Sequence, residues 1–396
     1  ISSRVKSQFL PRLKSGVSLR RTDEAQRRNA GVSLAREFST LYANWRGDGL
    51  GMAAKYAIFR ALFSVHSRPV SWALNRWAPH PVLLEVEIST ACDLSCVMCE
   101  NPVAGWLGTQ KKRLMSYEEL VRTLDEFPHL IWLDITGIGE GLIHPRFLDM
   151  VGEIKRRGLY LELFDPFHRW GPDVTEFMLD VGLNRIQPSV DGATKKTYEA
   201  IRVGADFDVV CRNLHYLFTQ KAARKSLLPI VDFHMIVQES NEHEMVPFVE
   251  LVADLAQGQR VGIQYTEILH EFPGIRARKV PITADRITAT KAAGRKYGVQ
   301  VWHNRNSAGR PKADMRDCSA YLMPFLFVDG TVVPCCAQNM RGDRKWQNDR
   351  AMGNVFQQSC RDIWNGPRYT ELRRKMRKGE TPEYCHSCPV FQAQHP

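Results

Sequence analysis

Residues 92–99 read CDLSCVMC, and three of these eight residues are the cysteines Cys92, Cys96 and Cys99. The stretch directly follows an apolar run from Val82 to Ile88, so we expect a strand that leads into one tight loop. Three thiolates on one loop can hold three irons of a four-iron cluster. The fourth iron then has no protein ligand and stays open to a small molecule.

Two other interpretations of the three cysteines fit less well. A zinc site needs a fourth thiolate or imidazole nearby, and the following segment from Glu100 to Leu114 contains neither Cys nor His. A disulfide does not account for an odd number of cysteines. The remaining alternative is a group of buried cysteines that bind no metal.

The CDLSCVMC stretch resembles the CxxxCxxC signature of the radical S-adenosylmethionine (radical SAM) enzymes. The resemblance implies that S-adenosylmethionine chelates the open iron of a 4Fe–4S cluster and is cleaved to a 5′-deoxyadenosyl radical, which abstracts a substrate hydrogen. It also implies an electron donor such as flavodoxin or ferredoxin. Many family members have an aromatic residue where this chain has Met98, whose thioether can still cover the adenine of the cofactor.

The composition indicates a soluble globular protein. Hydrophobic residues make up 44% of the chain and charged residues 24%, and no apolar run approaches the roughly 18–20 residues that span a bilayer. The ten cysteines are grouped within a chain of 396 residues, which indicates metal or cluster binding in a reducing compartment. We therefore predict a cytoplasmic protein, with mitochondrial targeting by the Arg- and Ser-rich N terminus as the alternative.

Residues 1–80 are predicted to form a basic, mostly helical or partly disordered extension. Residues 1–36 contain nine basic and two acidic residues, whereas the whole chain has a net charge of +11. Residues 52–63 (MAAKYAIFRALF) carry apolar side chains at helical spacing. Such a helix either packs on the rest of the protein or makes peripheral contact with a membrane surface, and we favour packing. The basic arm favours an anionic partner, and no specific binding of nucleic acid is expected.

From Val82 onward, strands alternate with amphipathic helices, which predicts a parallel sheet of βα units. Six such units resemble the partial (β/α)6 TIM-like barrel of the radical SAM family, and we assign residues 81–305 to this core. The predicted strands are Val82–Ile88, Leu130–Thr136, Leu159–Phe164, Arg185–Ser189, Ile230–Val237 and Val261–Leu269. The predicted helices are Tyr117–Phe127, Pro145–Arg157, Val174–Val181, Asp208–Thr219, Glu242–Ala256 and Ala284–Tyr297.

Candidate cofactor contacts lie at the predicted carboxyl ends of the strands, where parallel barrels bind ligands. Gly137, Gly139 and Glu140 follow the second strand and resemble the family's GGE segment, which receives the amino group of the cofactor. Ser189 ends the fourth strand, and Arg202 follows the next helix. The resemblance assigns both to cofactor binding.

Two carboxylates are candidates for catalysis. Asp165 stands where many family members carry Thr-Asn-Gly, so it is either a substrate contact or a turn-forming aspartate. Glu267 lies on the sixth strand, and the sequence does not reveal whether its face points into the barrel. Asp191 has two interpretations as well, either a helix cap or part of the site.

The last 90 residues contain a second group of cysteines. Phe325 to Val333 reads as a hairpin that brings Cys335 near Cys318, and Cys385 and Cys388 form a closing CxxC. The arrangement resembles the C-terminal SPASM or twitch extensions of radical SAM enzymes. We assign residues 306–396 to this small domain. The resemblance implies one auxiliary 4Fe–4S cluster held by Cys318, Cys335, Cys385 and Cys388. Alternatives are zinc at the same thiolates and Cys336 in place of Cys335.

Two cysteines fall outside both groups. Cys211 and Cys360 lie on predicted helices, and both are expected to be core thiols.

The sequence favours an enzyme that abstracts hydrogen from a non-peptide, anionic small molecule or lipid-linked substrate, with oxidation, epimerisation or another C–H functionalisation as the outcome. A peptide-modifying maturase is the first alternative. A non-catalytic iron–sulfur protein for electron transfer or scaffolding is the second. Glu140, Ser189 and Arg202 argue against the second alternative, because an electron carrier does not need a pocket for an organic cofactor.

Overall fold

The computed structural model describes residues 37–58, 80–100, 112–268, 278–304, 315–318, 320–336 and 344–386, together with a few single positions. Within these residues, ten strands form one sheet in the order β10-β9-β8-β1-β2-β3-β4-β5-β6-β7. The strands are β1 Leu83–Val86, β2 Trp132–Ile135, β3 Tyr160–Asp165, β4 Arg185–Pro188, β5 Ile230–Val237, β6 Gly262–Glu267, β7 Gln300–Asn304, β8 Phe325–Leu326, β9 Thr331–Val333 and β10 Gly353–Asn354.

Strands β1 to β7 pair in parallel with their neighbours along the chain, and helices connect them. This is the architecture of an open, partial barrel, as the alternation of strands and helices predicted. The helices of the core are α1 Tyr117–Glu126, α2 Phe147–Arg156, α3 Pro172–Asp180, α4 Lys195–Ile201, α5 Phe207–Ala223, α6 Met245–Ala256 and α7 Ala284–Tyr297; the C-terminal part adds α8 Arg344–Asp349, α9 Cys360–Asn365 and α10 Pro367–Lys378.

Local sequence signals set the helix ends. Ser116 and Glu119 form a capping box at the start of α1, in which each side chain accepts a hydrogen bond from the other residue's backbone N–H (3.0 and 2.8 Å). Thr283 caps α7, and Gly298 ends that helix in the left-handed region at φ 73°. The predicted bounds of α7 are therefore confirmed. Strand β7 was not predicted, because all five of its residues are partly exposed and show no alternation.

The two faces of the barrel strands have different environments. Leu84, Leu133, Leu161, Ile186 and Phe233 are fully buried and belong to one apolar core with the surrounding helices. The residues that alternate with these along each strand point into the barrel, and most of them are polar. Because side chains alternate across a strand, a helix-facing core and a polar interior arise from the same segments.

A helical segment, residues 37–58, packs on the N-terminal end of the barrel. Tyr56 contacts Trp132 and Tyr160, with ring centroids 5.8 Å apart in both cases. Lys55 donates a hydrogen bond to the carbonyl oxygen of Gly158, and Asn184 donates to Asp48 (3.1 Å). The predicted packing of this region is thus confirmed for the described residues. Membrane contact by the N-terminal region stays a prediction. None of the described helices has both the length and the apolarity needed to cross a membrane.

The C-terminal part extends the barrel sheet. Strand β8 pairs in parallel with β1, and the predicted hairpin is confirmed as the antiparallel pair β8 and β9. Glu87, which follows β1, is fully buried and lies 2.9 Å from Nη2 of Arg344, which begins α8. The core and the C-terminal part therefore share both a sheet and a buried ion pair. The boundaries at residues 80 and 305 stay predictions.

Candidate active site

Backbone hydrogen bonds hold the 92–99 loop beside the strand ends. The N–H groups of Ser95 and Val97 donate to the carbonyl oxygens of Val203 and Ile201, at 2.8 and 2.9 Å. These bonds tie the loop to the end of α4, although some 100 residues separate the two segments in the chain. The loop therefore presents Cys92, Cys96 and Cys99 from one rigid turn at the carboxyl end of β1, as the sequence predicted.

Burial favours the protonated thiol at two of the three cysteines of this loop. Burial raises the pKa of Cys92 to about 11, and burial also raises the pKa of Cys96, which the guanidinium of Arg202 partly offsets. Only a thiolate ligates iron, so iron binding releases a proton from each ligand. Cluster binding by this loop is therefore coupled to the release of protons from its thiols.

The glycine segment after β2 brings Glu140 against the cysteine loop. A Cβ atom on Gly139 would lie 2.1 Å from the carbonyl oxygen of Ser89, so no other residue fits there. The N–H of Glu140 donates to the carbonyl oxygen of Ala91 at 2.8 Å. One oxygen of Glu140, one of Asp93 and the sulfur of Cys92 all lie within 4.8 Å of one another. The predicted neighbours Gly137, Gly139, Glu140 and Cys92 are thus placed together.

Glu140 is suited to bind a cation. It is 3% exposed, and neither carboxylate oxygen accepts a hydrogen bond from the described residues. Burial, followed by the nearby carboxylates of Asp165 and Asp93, raises the pKa of Glu140 to about 9. A buried carboxylate without a donor is costly unless a partner arrives. His168 and Arg169 approach this carboxylate to 3.4 and 3.9 Å without a hydrogen bond, and the amino group of S-adenosylmethionine has the donors that it lacks, so these residues fit the cofactor.

Asp93, His168 and Arg169 form part of the site that sequence reasoning missed. Nε2 of His168 and Nε of Arg169 both lie 2.9 Å from the carboxylate of Asp93, and Nε2 of His168 lies 3.4 Å from Glu140. Partial burial alone would raise the pKa of Asp93, but hydrogen bonds from Arg169 and His168 lower it to about 2. No sequence signal links Asp93 to a His-Arg pair 75 residues later, because the contact exists only after β3 aligns with β1.

Arg202 and Asp191 connect the cysteine loop to the fourth and fifth strands. Nε of Arg202 donates to Asp191 at 2.6 Å, and its Nη1 lies 3.9 Å from the sulfur of Cys96. The other oxygen of Asp191 accepts from the N–H of Ile236 at 2.7 Å. Asp191 therefore does not cap a helix; Thr194 caps α4 instead. The structure brings Arg202 to the cluster loop, as expected from the sequence.

Asp165, one of the two predicted catalytic carboxylates, lies at the strand ends. Asp165 is 3% exposed, lines a pocket at the strand ends with Ser89, Thr136 and Gly139, and has its pKa raised to about 7 by burial. It also forms a turn, because it accepts from the N–H of Phe167 at 2.7 Å.

Of the three further candidates, Ser189 lies close to this pocket, whereas Met98 and Glu267 have other surroundings. The N–H of Ser189 donates to the carbonyl oxygen of Asp165 at 2.9 Å, which keeps Ser189 close to the pocket. Met98 is 4% exposed and packs in the core. Glu267 lies on the same face of β6 as Tyr265, whose hydroxyl donates a hydrogen bond to the first residue of α6. The carboxylate of Glu267 accepts a hydrogen bond from the N–H of Ile282 at 2.8 Å. The structure does not bring Glu267 to the other candidates.

Three of the four predicted ligands in the second group of cysteines lie within the described residues. Cys318, Cys335 and Cys385 are partly buried and pack against the same apolar core, whereas Cys388 lies outside the described residues. Cys336 instead packs with Phe325, Phe327 and Val333 and hydrogen-bonds to Glu85 inside the barrel. The side chains of the two adjacent cysteines thus point in different directions, which supports Cys335 as the cluster ligand.

The two isolated cysteines are packed as predicted. Cys360 is 4% exposed, and burial raises its pKa to about 12. Cys211 is partly buried against the core from α5, and burial raises its pKa to about 11.

We expect Cys335→Ala and Cys336→Ser to differ in iron content. Cys335→Ala should lower the iron of the reconstituted enzyme from about eight to about four per chain, because one four-iron cluster loses a ligand. Cys336→Ser should retain about eight. Iron and acid-labile sulfide assays on anaerobically purified variants measure both. Loss of iron in Cys336→Ser with full retention in Cys335→Ala would reverse the assignment.

Comparison with family models agrees with the site. The model for the Radical SAM superfamily matches residues 86–252, and the SPASM model, described as an iron–sulfur cluster-binding domain, matches residues 321–389. Together the two models cover more than half of the 396 residues. The first contains the cysteine loop, Glu140 and Arg202, and the second contains Cys335 and Cys385.

Curated relatives and solved structures extend this likeness. A tungsten-containing aldehyde ferredoxin oxidoreductase cofactor-modifying protein from Pyrococcus furiosus is 24% identical over 73% of this chain and 82% of its own. A PqqA peptide cyclase from Xanthomonas axonopodis pv. citri is 23% identical over 79% of this chain and 81% of its own.

Among solved structures, SuiB of Streptococcus suis bound to its precursor peptide SuiA superposes with a TM-score of 0.58 and 13% identity. The superposition covers 76% of this chain and 69% of SuiB. The structure of anSMEcpe with bound AdoMet superposes with a TM-score of 0.51 and 16% identity over 79% and 88% of the two chains.

The fold, the cysteine loop and both family matches agree on the cofactors. The chain binds S-adenosylmethionine and a 4Fe–4S cluster in the barrel and carries an iron–sulfur domain at its C-terminal end. The prediction of an enzyme is thereby confirmed, and the alternative of a non-catalytic carrier is wrong. This protein belongs to the radical SAM superfamily and carries a SPASM domain.

Proposed function

We propose that this enzyme modifies a peptide by functionalising a C–H bond. The observation that carries the proposal is the match to PqqA peptide cyclases, one of which covers 79% of this chain. The sequence favoured a non-peptide anionic substrate instead, and the peptide alternative now has more support. Modification of a cofactor is the second candidate. The Pyrococcus furiosus relative is described as a cofactor-modifying protein, and the alignment covers 82% of its length.

The residues of the chain have separable roles in this proposal. Cys92, Cys96 and Cys99 hold the cluster, Glu140 receives the amino group of S-adenosylmethionine, and Arg202 orients the loop through Cys96. When bound, S-adenosylmethionine supplies a 5′-deoxyadenosyl radical that removes one hydrogen atom from carbon. The barrel walls exclude water from that reaction. A cytoplasmic location and a flavodoxin or ferredoxin as electron donor belong to the same proposal.

The experiment follows hydrogen from substrate to cofactor product. The reconstituted enzyme is incubated anaerobically with S-adenosylmethionine, a reductant, and one of two fractions from deuterium-grown cells: peptides and proteins, or small metabolites. We expect deuterium in 5′-deoxyadenosine from the peptide fraction only, measured by mass spectrometry. The matched control is the variant that lacks all three loop cysteines. Transfer from the small-metabolite fraction alone would contradict the proposal and favour the non-peptide substrate.

A further inference from the structure

The barrel interior of this protein is a partly open chamber. Glu85, Asp134, Phe164, His234 and Gln264 point into it from five different strands and keep accessible surface. Their neighbours on the opposite faces of the same strands are nearly or fully buried. Other inner side chains, among them Trp132, Glu162 and Asp232, are buried, so the partial exposure of the inner face is confined to a few positions. Of these five residues, Phe164 also lines the pocket at the carboxyl ends of the strands, and a ligand group would enter from that side.

Carboxylates dominate one layer of this chamber. Glu85, Asp134 and Glu162 are directly opposite one another on β1, β2 and β3, and Asp232 adds a fourth carboxylate from β5. Arg185 lies in this layer and pairs with Asp232 at 2.6 Å and with Glu162 at 4.0 Å. Like charges opposite each other on adjacent strands destabilise a sheet. The register thus places a carboxylate, not a cation, opposite Asp134 on both neighbouring strands.

Glu85 and Asp134 in particular lack a cationic partner. Within the described part of the chain, neither forms a salt bridge, and Oε2 of Glu85 accepts no hydrogen bond. Asp134 accepts one bond, from the indole N–H of Trp132. The nearby Gln187 is 7% exposed and donates to Glu162, while its Oε1 accepts no bond. Several acceptors therefore face the chamber without donors.

Electrostatics agrees with the geometry. Burial, only partly offset by a hydrogen bond with Cys336, raises the pKa of Glu85 to about 7, and Glu162 adds to the rise. Burial and the carboxylates of Glu162 and Glu85 raise the pKa of Asp134 well above its usual range. Such groups are costly to bury unless a donor or a positive charge meets them. Arrangements of this kind cluster at functional sites.

We infer that Glu85 and Asp134 bind a cationic group of the substrate, a primary ammonium or a guanidinium, inside the barrel. The inference rests on the proposed function, under which that group belongs to a lysine or arginine side chain. Glu85 lies four residues before Ser89 at the strand ends, a depth of about 13 Å at about 3.3 Å per residue. This depth exceeds the reach of a lysine or arginine side chain, so the Cα of that residue must enter the barrel for its charged end to meet the carboxylates, with the carbon atoms nearer the cysteine loop.

The test compares probes that differ by one charged group. N-acetyl-lysine N-methylamide and its norleucine counterpart, which lacks only the ammonium, are titrated calorimetrically into the anaerobic holoenzyme with S-adenosylmethionine. Because a charge-assisted hydrogen bond to a buried carboxylate is strong, the lysine probe should bind at least about tenfold more tightly. Equal affinity for the two probes, or tighter binding of the corresponding glutamate probe, would overturn the inference.

Variants locate the binding group. In Glu85→Gln/Asp134→Asn, the lysine probe should lose at least about tenfold in affinity while the norleucine probe is unchanged. Iron content and S-adenosylmethionine binding report whether this variant is folded. Asp173→Asn, which removes an exposed carboxylate on α3, is the matched control and should bind like wild type. An undiminished preference for lysine in the double variant would overturn the assignment, and the wild-type comparison stands even if that variant fails to fold.

A third probe separates this inference from the proposed function. n-Pentylamine carries the ammonium without a peptide backbone. If it binds as tightly as the lysine probe, the cationic site stands and the peptide substrate loses support. If it binds more weakly than the lysine probe but more tightly than norleucine, both the charge and the peptide backbone contribute, which supports both.

Discussion

Replacing Cys92, Cys96 and Cys99 together by alanine is expected to abolish the conversion of S-adenosylmethionine to 5′-deoxyadenosine. The three thiols lie on one loop that Val203 and Ile201 hold in place, so removing them removes every protein ligand that the loop offers. Iron should fall from about eight to about four per chain, because the C-terminal cluster does not share these ligands. Chromatography of the reaction with a strong reductant, together with an iron assay, measures both quantities.

A matched variant separates this effect from a general loss of thiols. Cys211→Ala removes a partly buried cysteine on α5 that belongs to neither group. It should keep the full iron content and full cleavage, with only a modest loss of stability from altered packing. Undiminished cleavage in the triple variant would show that the loop is not the site of the chemistry.

Replacing Arg344 by methionine is expected to destabilise the folded protein by about 3–5 kcal/mol at pH 8. Arg344 is 5% exposed, stacks on Phe327 and pairs with Glu87, which is fully buried. The variant leaves the carboxylate of Glu87 buried without its cation. Because this pair joins β1 to α8, contacts between the core and the C-terminal part should weaken as well. Anaerobic urea unfolding followed by tryptophan fluorescence measures the loss.

The pH dependence of that loss has a definite sign. Burial outweighs Arg344 and already raises the pKa of Glu87 above its usual value, and removing the cation raises it further. A carboxyl group with a raised pKa in the folded state favours folding when protonated, and this contribution is lost as pH rises. The deficit of Arg344→Met should therefore be largest at pH 8.5 and shrink toward pH 6. A deficit that grows on acidification would contradict this account.

Two further variants test the buried ion pair. Glu87→Gln/Arg344→Met leaves no charge behind and should recover most of the lost stability. Lys345→Met changes the neighbouring residue, whose side chain is 81% exposed and pairs with Asp349, and should alter stability by no more than about 0.5 kcal/mol. Equal losses in Lys345→Met and Arg344→Met would mean that burial of the pair is not the cause.

The barrel core was predictable because its signals are local. Strand β5 and helix α7 have the predicted bounds, since apolar spacing, Thr283 at the helix start and Gly298 at its end are all visible in the sequence. Strand β7 lacked such a signal, because its residues are uniformly half-buried at the open edge of the barrel. The pairing of β8 with β1 was also missed, because two residues so far from β1 in the chain carry no information on their partner.

The cluster loop and Glu140 were accessible to sequence reasoning, since their chemistry depends on residue type and spacing along one short segment. The contacts of Asp93 with His168 and Arg169, and those of Asp191 with Arg202, were not. Each joins segments that meet only when parallel strands align their carboxyl ends. Likewise, the excess of basic residues suggested an anionic substrate, whereas the inner faces of β1 to β3 present carboxylates to the chamber.

The sequence by itself determined the family, the cofactor and the order of strands and helices, because each depends on spacing within a few residues. The tertiary structure alone decided which face of each strand lines the barrel, which cysteine of the pair Cys335 and Cys336 packs beside Phe325 and Phe327, and which carboxylates lie without a salt bridge among the described residues. These outcomes depend on distances between segments far apart in the chain. Such distances arise only when the sheet has assembled and water has left the space between sheet and helices.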